Sequence, residues 1–238
     1  MARVTTSLKA RALFWLALLV ALGGFYFALS YEAMPAFWRV FAQRHPAFEN
    51  VVKHALTPEG ILGDPINIAF VGPEETLHQV LLAAGWRPSD PITLKSSLRI
   101  ATASVLHRAY ETAPISNLFV WHRKQDLAFQ QPAGNDPRKR HHVRFWRSDQ
   151  VDEQGRPLWL GAATFDTKVG LSHLTGQITH HIDANVDAER DKLVADMQKW
   201  TGLKLEWTDP FHEAKTGKNG GGDPYFTDGR LAVFSTDN

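Results

Sequence analysis

The chain has 238 residues, with Lys+Arg 26 against Asp+Glu 25, a formal net charge of +1, 44% hydrophobic residues and no cysteine. So even a charge balance argues against a dedicated nucleic-acid binder. The lack of cysteine excludes disulfides, thiol catalysis and thiolate metal sites, so packing alone must hold any exported part together.

From the N-terminus, Arg3, Lys9 and Arg11 precede an uncharged, almost wholly apolar run from Ala12 to Tyr31. At ~1.5 Å per residue this run makes a helix of roughly 30 Å, the thickness of a bilayer's hydrocarbon core. Residues 12–31 are therefore read as a membrane anchor. Residues 1–11 stay in the cytoplasm, because short cationic flanks are retained there, and the remainder is exported. A cleavable signal peptide starts in the same way, and Ala28-Leu29-Ser30 offers it small residues. The apolar run is longer than the ~7–15 residues of a signal-peptide core, which favours an uncleaved anchor. Residues 32–65 read as a juxtamembrane linker, with a short amphipathic helix around Phe37, Val40 and Phe41 and then Pro58, Gly60, Gly63 and Pro65. The folded domain is expected over residues 66–238.

Ile66–Val71 is apolar on both faces, as a covered strand is. Gly72-Pro73-Glu74-Glu75 opens a helix, with Pro at its start and acids in its first turn. Leu77, Val80, Leu81 and Ala84 form its buried stripe and Gly85 ends it. A second helix is expected from Asp90-Pro91, with Leu94, Leu98, Ala101 and Val105 on one side. Alternation then predicts a strand over Asn117–His122, a turn at Arg123-Lys124 into Asp126–Gln131, and strands over His141–Arg147 and Leu158–Phe165. Val186–Trp200 reads as a helix; Leu203–Trp207 and Leu231–Ser235 read as strands. The result is an α+β fold, a mostly antiparallel sheet packed against about three helices and preceded by one transmembrane helix.

Chemistry concentrates in three segments. Arg138–Arg147 is basic and aromatic; as a strand it presents His142, Arg144 and Trp146 on one face and His141, Val143 and Phe145 on the other. A histidine beside an arginine can recognise phosphate or carboxylate; a solvated edge strand is the plainer reading. In Thr179–Asp191, His181 and Asp183 point the same way if extended, and such a pair can orient an imidazole for acid/base work or bind a divalent metal, although the spacing for a metal is poor. Asp187, Glu189 and Asp191 suit the positive end of the following helix, which Asn185 or Asp187 can cap. Asp166 closes a strand and reads either as a turn residue or as a second carboxylate. Gly161 and Ala163 leave room for a neighbouring ring or ligand. Gly217–Arg230 reads as a flexible hairpin loop with Asp228-Gly229 as its turn. There is no H-E-x-x-H, no G-x-S-x-G and no phosphate-loop spacing, so neither a metal nor a cofactor is expected.

Four segments together, Lys139–Trp146 (KRHHVRFW), Trp159–Asp166 (WLGAATFD), Ile182–Asp191 (IDANVDAERD) and Gly222–Arg230 (GDPYFTDGR), resemble the LssY C-terminal domain family from about Pro65 onward. The resemblance implies an accessory module of the bacterial cell envelope. Some relatives also carry PAP2-type phosphatase or DedA-type regions, but this chain has only one candidate span and no room for them. Within the resembling segments, Arg190, Asp223 and Asp228 join Arg144 and Trp146 as candidate ligand contacts.

Two functions follow as expectations. The first is an extracytoplasmic binding or accessory module in the inner (cytoplasmic) membrane, recognising an anionic lipid, an envelope ligand or a membrane-protein partner, and no nucleic acid. The second is a hydrolase of a phosphate ester or related envelope substrate. His142 and His181 then serve as acid/base, Asp166 and Asp183 as orienting groups or metal ligands, and Arg144 as anion clamp.

Overall fold

The computed structural model describes residues 8–44, 53–90, 115–134, 136 and 138–236. The helix expected from Asp90-Pro91 through Val105 lies outside the described residues. Helix α1 (Leu8–Phe27), a π-helical segment (Ala28–Ala33) and α2 (Met34–Arg44) form one continuous helical run. It contains a candidate membrane span, Lys9–Val40, with a mean hydropathy of 2.2 in its most apolar stretch, none of which is buried. Leu13, Phe14, Trp15, Leu19 and Phe25 stand more than half exposed around it. An apolar helical stretch that none of the described residues covers is suited to lipid rather than to a soluble core.

Among the described residues the body has fourteen short and long strands: β1 (His54–Leu56), β2 (Leu62–Pro65), β3 (Ile68–Val71), β4 (Arg87–Pro88), β5 (Phe119–Val120), β6 (Arg123–Lys124), β7 (Leu127–Pro132), β8 (Arg140–Val151), β9 (Pro157–Leu171), β10 (Ile178–Ile182), β11 (Leu203–Thr208), β12 (Thr216–Lys218), β13 (Pro224–Phe226) and β14 (Leu231–Thr236). Helices α3 (Glu74–Ala83) and α4 (Val186–Met197) pack with them. The main sheet has eight strands in the order β11-β14-β3-β9-β8-β7-β4, with β10 beside β9. Its neighbours are antiparallel except β14 and β3. The fold is α+β, as the alternation predicts.

Burial follows the pleat of β8. Val143 and Phe145 point to one face and join Phe70, Leu77, Trp159 and Leu193 in a core that includes residues of both helices. Trp146 points to the other face and packs with Ala69, Leu160 and Ala162 against Ala55 and Val120 of a small sheet, β2-β1-β5-β6, and Leu118 just before β5. The Phe145 ring lies on Gly161, its cross-strand partner; a Cβ there would sit 2.7 Å from the ring. That is the close approach the small residue was expected to permit.

Four local expectations change. β8 is not an edge: β7 and β9 pair along both its sides, so its basic residues do not guard a free rim. β9 continues past Asp166 to Leu171, because β10 pairs with its far half and makes that acid an interior strand residue rather than a turn. The β5–β6 turn is Trp121-His122, both with positive φ (51° and 61°), the signature of a tight type I′ hairpin; Arg123-Lys124 belongs to the returning strand. β1 and β2, within the stretch read as linker, pair with each other, and β1 pairs with β5.

Candidate functional site

Antiparallel register sets His142 opposite Thr164, Arg144 opposite Ala162 and Arg140 opposite Asp166. Toward Arg144 and His142 the face of the sheet away from α3 and α4 becomes polar and forms the floor of a cleft of about 300 Å³. Its walls include Asp64 at the end of β2, His180 of β10, Asn219 before β13, and the β9–β10 loop through Ser172, Thr175 and Gln177.

Two buried charge pairs stand on this floor. Arg144 Nη1 donates to Asp64 Oδ2 at 3.0 Å and its Nε to the Ser116 carbonyl at 3.2 Å. Burial pushes the Asp64 carboxyl up, Arg144 opposes that, and Asp166 and Asp223 add to the rise. The second pair is His142 Nδ1, 2.9 Å from Asp166 Oδ2, with His180 Nδ1 3.9 Å from the same oxygen. Burial drives His142 down to about 4 in spite of Asp166. Burial alone would raise Asp166, but His142, His180 and Arg144 hold it below the usual carboxylate range. At neutral pH His142 is thus neutral. Its Nδ1 faces the carboxylate, and its buried Nε2 finds no hydrogen-bond partner among the described residues.

His181 follows His180 on the strand and turns to the opposite side. Its Nδ1 is 2.6 Å from Asp223 Oδ1, and the Ile182 N–H donates to Asp223 Oδ2 at 3.3 Å. His173, in the β9–β10 loop, brings its Nε2 to 3.6 Å from Asp223 Oδ1.

That loop also meets the apolar N-terminal helical run, which contains the candidate membrane span. Tyr26 OH donates to the Gly176 carbonyl at 2.8 Å, Trp38 Nε1 to the Leu174 carbonyl at 3.2 Å, and the Ile178 N–H to Tyr31 OH at 3.3 Å. Tyrosine and tryptophan at a helix end are the side chains that favour a membrane–water interface.

The family described as LssY C-terminus matches residues 47–231. The chain belongs to this family. No curated protein and no solved structure matches it. The LssY C-terminus match takes in β1 through β13, including every segment that walls the cleft, and begins after the helical run of residues 8–44.

Within this LssY C-terminus region the sequence candidates divide. His142, Arg144 and Asp166 come together at the cleft, and His181 and Asp223 pair beside it. Asp183 does not join them: a register shift between His181 and Ile182 breaks the strand's alternation, and Asp183 is exposed, accepting the Asn185 N–H at 2.8 Å. Asn185 caps α4 by accepting from the Ala188 N–H. Trp146 is fully buried in the apolar layer and presents nothing to a ligand. Arg190 is also fully buried, with Asp228 at 2.7 Å, Asp187 at 3.1 Å and Trp207 beneath its guanidinium at 5.0 Å. Burial would raise Asp228, but Arg190 and Arg230 hold it well below the carboxylate range. These two residues tie α4 to the turn before β14. Glu189 is buried rather than capping; it meets His141 Nδ1 at 2.7 Å, and burial raises its pKa.

Sequence reasoning missed Asp64, His180 and His173. No spacing singles out Asp64 or His173. His180 was legible only as the alternate of His181, and the choice between neighbours turned on Asp183, which the bulge removes.

Proposed function

We propose that this LssY C-terminus protein is a single-pass, extracytoplasmic module of the inner membrane whose cleft takes the polar headgroup of a ligand presented at the bilayer surface. The carrying observation is that one loop serves two roles: Ser172, Thr175, Gln177 and Ile178 line the cleft, while Leu174, Gly176 and Ile178 bond the aromatic residues of the membrane helix. A purely anionic ligand is not what the cleft favours. Among the described residues Arg144 is the one Lys or Arg lining it, against Glu59, Asp64 and Asp166. Those groups suit a zwitterion, with the anion toward Arg144 and the cation toward the carboxylates.

Native mass spectrometry of the full-length protein with phosphatidylethanolamine or phosphatidylglycerol tests this. The zwitterionic lipid should be retained preferentially, and Gln177→Trp, which crowds the cleft, should lose it. Equal retention of both lipids by wild type and variant overturns the reading.

A hydrolase of a phosphate ester or related envelope substrate is the second reading, and His180 favours it. This imidazole lines the cleft, is one-quarter exposed, and faces Asp166. It is better placed for proton transfer than the enclosed His142. A phosphoesterase screen of the full-length protein should then find turnover that falls about 10²–10⁴-fold in His180→Gln. Turnover unchanged in that variant rejects the role.

A further inference from the structure

We propose that His173, His181 and Asp223 form a divalent-metal site that takes Zn²⁺, independently of which ligand occupies the cleft. The three residues come from the β9–β10 loop, from β10 and from the loop before β13, so their meeting is a product of the fold and not of local sequence. Their ligating atoms all lie within 4.8 Å of one another. Two imidazoles and one carboxylate suit Zn²⁺, and three protein ligands leave a fourth position for water.

The distances agree with that assignment. With metal–ligand bonds of about 2.1 Å, tetrahedral ligand atoms stand roughly 3.4 Å apart. His173 Nε2 and Asp223 Oδ1 are already 3.6 Å apart. His181 Nδ1 and the same oxygen, at 2.6 Å, need to open by less than about 1 Å. A hydrogen-bonded His181–Asp223 pair alone accounts for two of these residues. It gives no reason for the third imidazole, whose side chain is 64% exposed, to converge on the same oxygen.

The surroundings hold the ligands as an outer shell does. The Ile182 N–H occupies Asp223 Oδ2 and leaves Oδ1 for the cation. Asn219 Oδ1 accepts the N–H groups of Gly221 and Asp223, fixing the turn that carries the carboxylate. The His173 N–H is tied to the Gly221 carbonyl at 2.9 Å. Gly170 lies so close under the His181 ring that a Cβ would come within 2.5 Å of Nε2, which leaves Nδ1 as the ligating atom. A cation here clasps the loop that seats the membrane helix to the loop before β13. It also offsets the carboxylates of the cleft, since Asp64 already responds to the charge on Asp223.

The test uses full-length protein purified in detergent without a histidine tag and stripped of metal. Zn²⁺ is titrated against a chromophoric chelator, and Co²⁺ reports geometry through its visible absorption. Wild type should bind one equivalent with the intense bands of a four-coordinate site. Asn219→Ala should weaken binding about 10–100-fold and His173→Ala by more. The exposed His173 can be removed without disturbing the core, so loss of binding there is not a folding effect. His122→Asn, elsewhere on the surface and tolerant of a positive φ, should bind as wild type does. No stoichiometric binding in wild type, or wild-type affinity in His173→Ala, overturns the proposal.

Discussion

His142 shows how burial can set a charge state in this protein. Its charged and titratable neighbours across the packed strands are Arg144 on β8, Asp166 on β9 and His180 on β10; burial, helped by Arg144 and His180, outweighs Asp166 and leaves its pKa at about 4 against 6.5 for an exposed histidine. Between those values the unfolded chain holds a proton that the folded chain does not, so acid favours unfolding. The stability tied to this neutral imidazole is complete above pH 6.5 and is lost as pH falls toward 4, on the order of 3 kcal/mol across the window. Urea midpoints should therefore drop from pH 7 to pH 5 in wild type and drop less in His142→Gln; parallel curves would refute this. Arg190 carries a different kind of weight. Its removal leaves Asp187 and Asp228 without their shared cation, although Arg230 still holds Asp228, and takes a buried guanidinium out of the packing, which destabilises the fold. A single ammonium cannot fork to Asp228 and stack on Trp207 at once. Thermal denaturation should thus show Arg190→Lys nearly as destabilised as Arg190→Ala. Both residues lie in segments that carry the family pattern, yet one underlies a cleft and the other locks a helix. Residue type and motif do not separate those roles; three-dimensional neighbours do.

The β9–β10 hairpin is the element on which anchor and cleft both depend. Its strands expose Val169, Leu171 and Ile178, the last at 66%, next to the loop that bonds Tyr26, Tyr31 and Trp38. Apolar side chains beside an interfacial aromatic cluster belong in the headgroup region. The chain has no cysteine, so Ile178→Cys can be labelled alone with a polarity-sensitive fluorophore. In lipid nanodiscs that probe should shift to the blue relative to detergent-free peptide controls, while one at Lys204, exposed on β11, should not. Equal emission from both sites would place the hairpin in water. The hairpin was not legible in the sequence because Thr164–Lys168 alternates without apolar residues on its inner side: the interior positions are Thr164 and Asp166, held by partners and not by hydrophobicity. Among the strands that were legible, β3 announces itself by an apolar run on both faces, and β7, β8, the first half of β9, β11 and β14 by alternation. The Trp121-His122 turn escaped for a similar reason, having neither the Gly nor the Asn that marks such turns.

For the molecule as a whole, an envelope role requires that the body be delivered to the outer side of the membrane. Arg3, Lys9 and Arg11 precede the candidate span and Arg39, Arg44 and Lys53 follow it, so the positive-inside bias is modest. A body without cysteine is stable to an oxidising compartment but does not demand one. Lys199, whose side chain is 70% exposed, is a surface position at which a single cysteine can report. In intact spheroplasts, Lys199→Cys should react with a membrane-impermeant maleimide before lysis. Reaction only after lysis would put the body in the cytoplasm and remove the envelope role. The cleft and the His173–His181–Asp223 cluster would survive that result, because they depend on the fold, whereas the nature of what reaches them depends on topology.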